Sequence, residues 1–172
     1  MSAAASQGAP GRRFTQGPDG LPERNGDFTA GFECALPDAA AEEPAHLSLY
    51  GHGLLGSRSE VEAGNVADFA REHDVTFCAT DWIGMAEEDV PNAAAILGQL
   101  GDFPSLVDRA QQGILNVLFL GRLMLHEDGL VSDPAFRSPG GDPLLDTSVL
   151  AFDANSQGGL MGGAATAVAQ DW

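Results

Sequence analysis

The chain has 172 residues, 44% of them hydrophobic and 19% charged, a composition that belongs to a globular protein with its own core and not to a disordered segment. Its 25 acidic residues outnumber 8 basic ones, all of them arginine, and the formal net charge of −17 removes the basic face that phosphate binding needs, which argues against a nucleic-acid partner. The same acidity reads as a solvated, self-repelling surface.

Residues 1–26 are rich in Gly, Pro, Ser, Ala and Arg, carry the turn signal Gly17-Pro18-Asp19-Gly20, and show neither helical nor strand periodicity, so they are expected to form a flexible N-terminal segment. Residues 27–172 are expected to form the domain proper. No stretch from Met1 to Phe14 has the apolar run of a signal peptide. The longest apolar region, Gly113 to Leu125, is interrupted by Asn116 and Arg122 and falls short of the roughly 20 residues a bilayer span takes, so a soluble chain without a membrane span is expected.

Phe28 to Leu36 alternates apolar with polar or small residues and predicts a strand, closed by Pro37-Asp38. Leu47 to Tyr50 predicts a second strand running into the glycine-rich turn Gly51-His52-Gly53-Leu54-Leu55-Gly56-Ser57. Ser59 with Glu62 has the form of a capping box, and Val66, Phe69 and Ala70 then share a helical face that ends near His73. Val75 to Thr80 is apolar and β-branched enough for a buried strand, with Asp81 at its carboxyl end as a pocket-lining or loop-fixing carboxylate. Cys34 and Cys78 fall in strand-like segments, where a free cysteine behaves as a small hydrophobe, and neither spacing nor context demands a disulfide between them.

Ser105 opens a long helix whose apolar residues Leu106, Val107, Ala110, Ile114, Val117, Leu118 and Leu125 recur at three and four, and the group Phe119, Leu123 and Met124 is read as core. His126 to Asp146 is predicted as loop, Thr147 to Asp153 as a strand and Gln157 to Ala169 as a helix. Short strands separated by helices imply an α/β fold, a mainly parallel sheet with helices on both faces, whose ligands gather beyond the carboxyl ends of the strands. Both glycine-rich turns, at 51–56 and 154–159, fall at that edge.

Ser156 lies in Ala154-Asn155-Ser156-Gln157-Gly158-Gly159, between the last strand and the last helix. A serine hydroxyl attacks a carbonyl carbon only if it stands clear of the backbone and a base takes its proton. A sharp strand-to-helix turn gives the exposure, and it needs small residues two before and two after the serine, here Ala154 and Gly158. The Gln157 amide at the start of the helix is the natural oxyanion donor, with the Leu54 amide as the second and Gly53 as the next choice.

These two turns, Gly51-His52-Gly53 and Asn155-Ser156-Gln157-Gly158-Gly159, in that order on separate strand-turn-helix units, resemble the α/β-hydrolase fold. More narrowly, residues 27–172 are similar to actinobacterial serine hydrolases with a Gly-Asn-Ser-Gln-Gly-Gly elbow, Ala154 departing from the family's first glycine. The resemblance implies an incomplete α/β-hydrolase fold, truncated after the nucleophile helix. It also implies a carboxylic ester hydrolase working through an acyl-enzyme on Ser156, with small-molecule esters or amides as substrates and His52 and Gly53 shaping the oxyanion loop. In that architecture an acid and then a histidine follow the serine, yet no histidine follows Ser156 and only Gln170, Asp171 and Trp172 lie beyond the predicted helix.

The chain is therefore expected to be inactive as it stands, its base and acid belonging to a missing C-terminal half. The alternative is a non-catalytic fragment or degenerate homologue, held by a partner or self-associating through the exposed edge of the strand at 147–153. No cofactor and no metal are expected, because Glu87-Glu88-Asp89 has no matching histidine or cysteine cluster and reads as a solvated helix start.

Overall fold

The computed structural model of the chain describes residues 9–170. Four strands, β1 (Phe32–Ala35), β2 (Ala45–Gly51), β3 (Val75–Thr80) and β4 (Leu145–Ala154), form one sheet in the order β1-β3-β2-β4. β3, β2 and β4 are parallel and β1 runs antiparallel to β3. Four α-helices, α1 (Gly64–His73), α2 (Val90–Gly98), α3 (Phe103–Leu125) and α4 (Gln157–Val168), accompany it.

Alternation along β2 and β3 divides the core into two, because successive side chains point to opposite faces. Leu47, Leu49 and Cys78 pack with Val117, Leu120 and Met124 of α3 and Ala165 of α4. Tyr50, Phe77 and Ala79 pack on the other face with Val61 and with Val66 and Ala70 of α1. Helices therefore cover both faces of a mostly parallel sheet, as the alternation of strand and helix signals predicted.

Several details differ from the sequence expectation. The first strand is only Phe32–Ala35, and β1 is fixed to β3 by a Cys34–Cys78 disulfide between directly opposed residues. The capping box at Ser59 and Glu62 does not form. Arg58–Glu62 is a 3₁₀ turn without a side-chain cap, and α1 begins at Gly64 instead. A helix, α2, occupies part of the region between Ile83 and Pro104, which has no single clear periodicity.

The core-facing stripe of α3 agrees with the predicted one only in part. Val117 and Met124 are buried and Ile114 packs against the core, but the buried face also runs through Ser105, Arg109, Gly113, Asn116, Leu120 and Gly121, whereas Val107, Leu123 and Phe119 are exposed, Phe119 by 59%. The cause is a close approach of the loop after β3. A Cβ on Gly113 would lie 2.8 Å from the Ile83 carbonyl oxygen, and one on Gly84, whose φ is +98°, would lie 2.5 Å from the Ala110 nitrogen. Small and polar residues face inward because backbone occupies the space that apolar side chains would fill.

Asp89 seals this junction. It is wholly buried, accepting hydrogen bonds from the Gly84 amide (2.7 Å), the Ala86 amide (3.1 Å) and Arg109 Nε (2.5 Å), while Arg109 also pairs with Glu88. The reading of Glu87 to Asp89 as a solvated helix start is thus corrected at Asp89, whose charge is neutralised by an arginine twenty residues on. Residues 9–26 contain no helix, but Asp108 of α3 accepts from the Arg13 guanidinium and from the Phe14 amide, and Gln16 bridges to Pro22.

Candidate functional site

Residue 156 has φ 52° and ψ −113°, a backbone conformation that a residue with a Cβ adopts at a cost of about 1–3 kcal/mol and keeps only when the surroundings enforce it. What enforces it is contact between the two glycine-rich turns. Gly51 pairs with Ala154 at the carboxyl ends of β2 and β4, and its carbonyl accepts from the Asn155 amide at 2.9 Å. A Cβ on Gly158 would sit 2.1 Å from the Gly51 oxygen, and one on Gly162 would sit 1.9 Å from the ring of Phe152. The start of α4 therefore lies against the end of β2 with only glycine at the seam. The chain must reverse within Asn155 and Ser156 to get there, which leaves the side chain of Ser156 exposed at the carboxyl edge of the sheet.

The neighbouring turn at residues 51–56 is held from three directions. His52 is fully buried, its Nε2 accepting from the Trp82 amide at 2.8 Å, so the proton resides on Nδ1, which donates to the Gly53 carbonyl at 2.8 Å. The Gly53 amide donates to both carboxylate oxygens of Glu60 at 3.2 Å. The Leu55 amide donates to the Met85 carbonyl at 2.9 Å. With Gly53, Leu55 and Gly56 engaged, the Leu54 amide is one donor of this turn that has no acceptor among the described residues, and the Gln157 amide is in the same position at the head of α4.

Asp81 fixes the far side of this rim. Its carboxylate accepts from the Arg58 amide at 2.8 Å and pairs with the Arg58 guanidinium, which also reaches Glu33 at 3.2 Å. A cavity of about 420 Å³ opens beside Asn155, with Tyr50, Glu60, Phe69 and Asp153 in its wall. Burial first, then the charges of Glu60 and Asp153, raise the Tyr50 phenol above its ordinary value, so it stays a neutral hydroxyl.

Ser156, Gln157, His52, Gly53 and Leu54 are thus brought to one place. The three remaining histidines are not. His46 is the second residue of β2, His73 ends α1 just before β3, and His126 caps the end of α3, so all three lie toward the amino edge of the sheet. A strand of six or seven residues separates the two edges by roughly 20 Å. Among the described residues no histidine is therefore available to Ser156, since both ring nitrogens of His52 are committed to backbone. Asp171 lies outside the described residues.

Two site features were hidden in the sequence. Glu60 accepts the Gly53 amide, and Trp82 donates to His52 from the residue after Asp81; neither carries a motif, because both act through partners more than six residues away. No helix among the described residues is long and apolar enough to cross a membrane. No protein-family model, curated protein or solved structure matches the chain.

Proposed function

We propose that Ser156 is the nucleophile of a serine hydrolase built on an α/β-hydrolase-type sheet, acting on a small-molecule carboxylic ester. The observation that carries this reading is the forced positive φ of an exposed serine at a strand-to-helix turn, facing a second turn across a glycine-only seam. Ser156 Oγ would add to the ester carbonyl carbon, and the amides of Gln157 and Leu54 would receive the negative charge that develops on the carbonyl oxygen. Fixed main-chain donors are effective there because they need no reorganisation as charge develops; losing one typically costs about 100- to 1,000-fold in rate. His52 serves as a positioning residue, holding the Gly53 peptide so that the Leu54 amide stays turned outward.

Removal of the Ser156 proton and protonation of the leaving alcohol need a base that residues 9–170 do not provide. On this reading the base comes from outside residues 9–170. The residues present supply nucleophile and oxyanion donors only, which on other serine hydrolases leaves a residual acceleration of about 10³–10⁴ over water.

A fluorophosphonate probe tests this. Slow labelling confined to Ser156 and lost in Ser156→Ala, with no p-nitrophenyl butyrate turnover beyond the residual level that main-chain donors alone give, is the expected result. Labelling scattered over several serines, or unaffected by Ser156→Ala, overturns it. The second reading, a non-catalytic homologue that binds a partner, is favoured by the complete engagement of His52, and no labelling at all would select it.

A further inference from the structure

The described N-terminal segment and α3 enclose a cavity of about 810 Å³ whose wall does not include the Ser156 turn. Its wall gathers arginines in an otherwise acidic molecule. Of the eight arginines in a chain of net charge −17, four line this one cavity, namely Arg12, Arg13, Arg24 and Arg109, against three carboxylates, Glu23, Asp27 and Asp108. Two of the four cations are already neutralised locally, Arg13 by Asp108 and Arg24 by Asp27.

Of the other two, one has no carboxylate partner among the described residues, and one is paired with two carboxylates but keeps a donor without a hydrogen-bond partner. Arg12 has no carboxylate partner among the described residues. Arg109 has a side chain only 5% exposed, gives its Nε to Asp89 and its Nη2 to Glu88, and keeps Nη1 buried with no hydrogen-bond partner. An unsatisfied buried donor is costly, and a charged one more so, which is the condition a bound anion relieves. The remaining wall is apolar, from Phe14, Phe28, Leu115 and Phe119, the last three considerably exposed where nothing covers them.

We propose that this cavity binds a small amphipathic organic anion, a carboxylate carried on an aliphatic or aromatic body, with Arg109 and Arg12 taking the carboxylate and the phenylalanine and leucine side chains taking the body. The volume lies within the range of small-molecule sites, and a few placed polar groups in an otherwise apolar wall are their usual composition. Inorganic phosphate lacks the body and an alcohol lacks the charge, so each satisfies one half of the wall only. The site is independent of the Ser156 chemistry.

Isothermal titration of the folded chain with sodium octanoate tests it, with 1-octanol and inorganic phosphate titrated alongside. Octanoate is expected to bind to one site, at least tenfold more tightly than either control. Arg12→Glu is expected to weaken it at least fivefold and Phe119→Glu to a similar extent; both residues are exposed, so neither change removes core. Arg71→Glu, on α1 at the other face, and Ser156→Ala should leave it unchanged. Absence of octanoate binding, equal binding of octanol or phosphate, or indifference to Arg12→Glu and Phe119→Glu overturns the proposal. Loss of binding in Ser156→Ala also overturns it, because octanoate would then occupy the serine turn as an acid product would.

Discussion

At the scale of single residues, the seam between β2 and α4 depends on which glycines have room for a Cβ and which do not. Gly158 has none, since the added carbon would meet the Gly51 carbonyl at 2.1 Å, whereas Gly163 has nothing within 4 Å. Gly158→Ala must push α4 off the sheet and is expected to cost about 1–3 kcal/mol or more, with loss of the serine's exposure. Gly163→Ala gains helix propensity without a clash and is expected to stabilise by up to about 1 kcal/mol. Urea midpoints of the two variants check both signs together; equal effects would show that the seam does not set the turn. His52 belongs to the same scale. Its buried, doubly bonded ring explains how a histidine in a glycine-rich turn can be structural, which the residue type alone does not reveal.

At the scale of elements, Asp108 ties the N-terminal segment to α3. Burial alone would raise its carboxyl, but the Arg13 hydrogen bond, the Phe14 amide and the Arg13 charge together outweigh burial and hold it below the ordinary 3.8. A carboxylate with a lowered folded value stabilises above its unfolded value and loses that contribution as pH falls through the lowered one. The Phe14 amide resonance is therefore expected to titrate with a midpoint below 3.8, and Asp108→Asn to abolish the titration. A midpoint at or above the ordinary value would separate the segment from α3.

Elements also show what could be read in advance. β3 was legible to the residue because Val75–Thr80 is a continuous apolar and β-branched run, and α4 because it follows a turn of fixed chemistry. The face of α3 was legible only in part, at Ile114, Val117 and Met124. Its inward residues Arg109, Gly113 and Asn116 are placed by a backbone loop some thirty residues earlier, and periodicity of apolar residues records side-chain packing but not backbone approach. Asp89 escaped for a related reason: three adjacent carboxylates look solvated until the partner arginine is known. For the candidate site, the two turns and their pairing were readable from glycine spacing, while Glu60 and Trp82 required the fold.

At the scale of the whole molecule, β4 closes the sheet on one side only, and between Asp146 and Leu150 its register with β2 shifts, leaving Val149 70% exposed. An open strand edge with apolar side chains favours pairing with another chain, and a charge on it opposes that. Sedimentation velocity is expected to show concentration-dependent association that Val149→Lys reduces; a chain that stays monomeric at all concentrations would mean the shifted register already protects the edge.

The disulfide between β1 and β3 has a different kind of consequence. It encloses a 44-residue span that contains β2, the His52 turn, Glu60 and α1. In the chain-entropy view such a link is worth about 4 kcal/mol against the unfolded ensemble. A thiol reductant in the storage buffer would thus not be an innocent additive: it would release the one antiparallel strand, loosen the Glu33 and Arg58 contact behind the rim, and yield a preparation different from one kept oxidised.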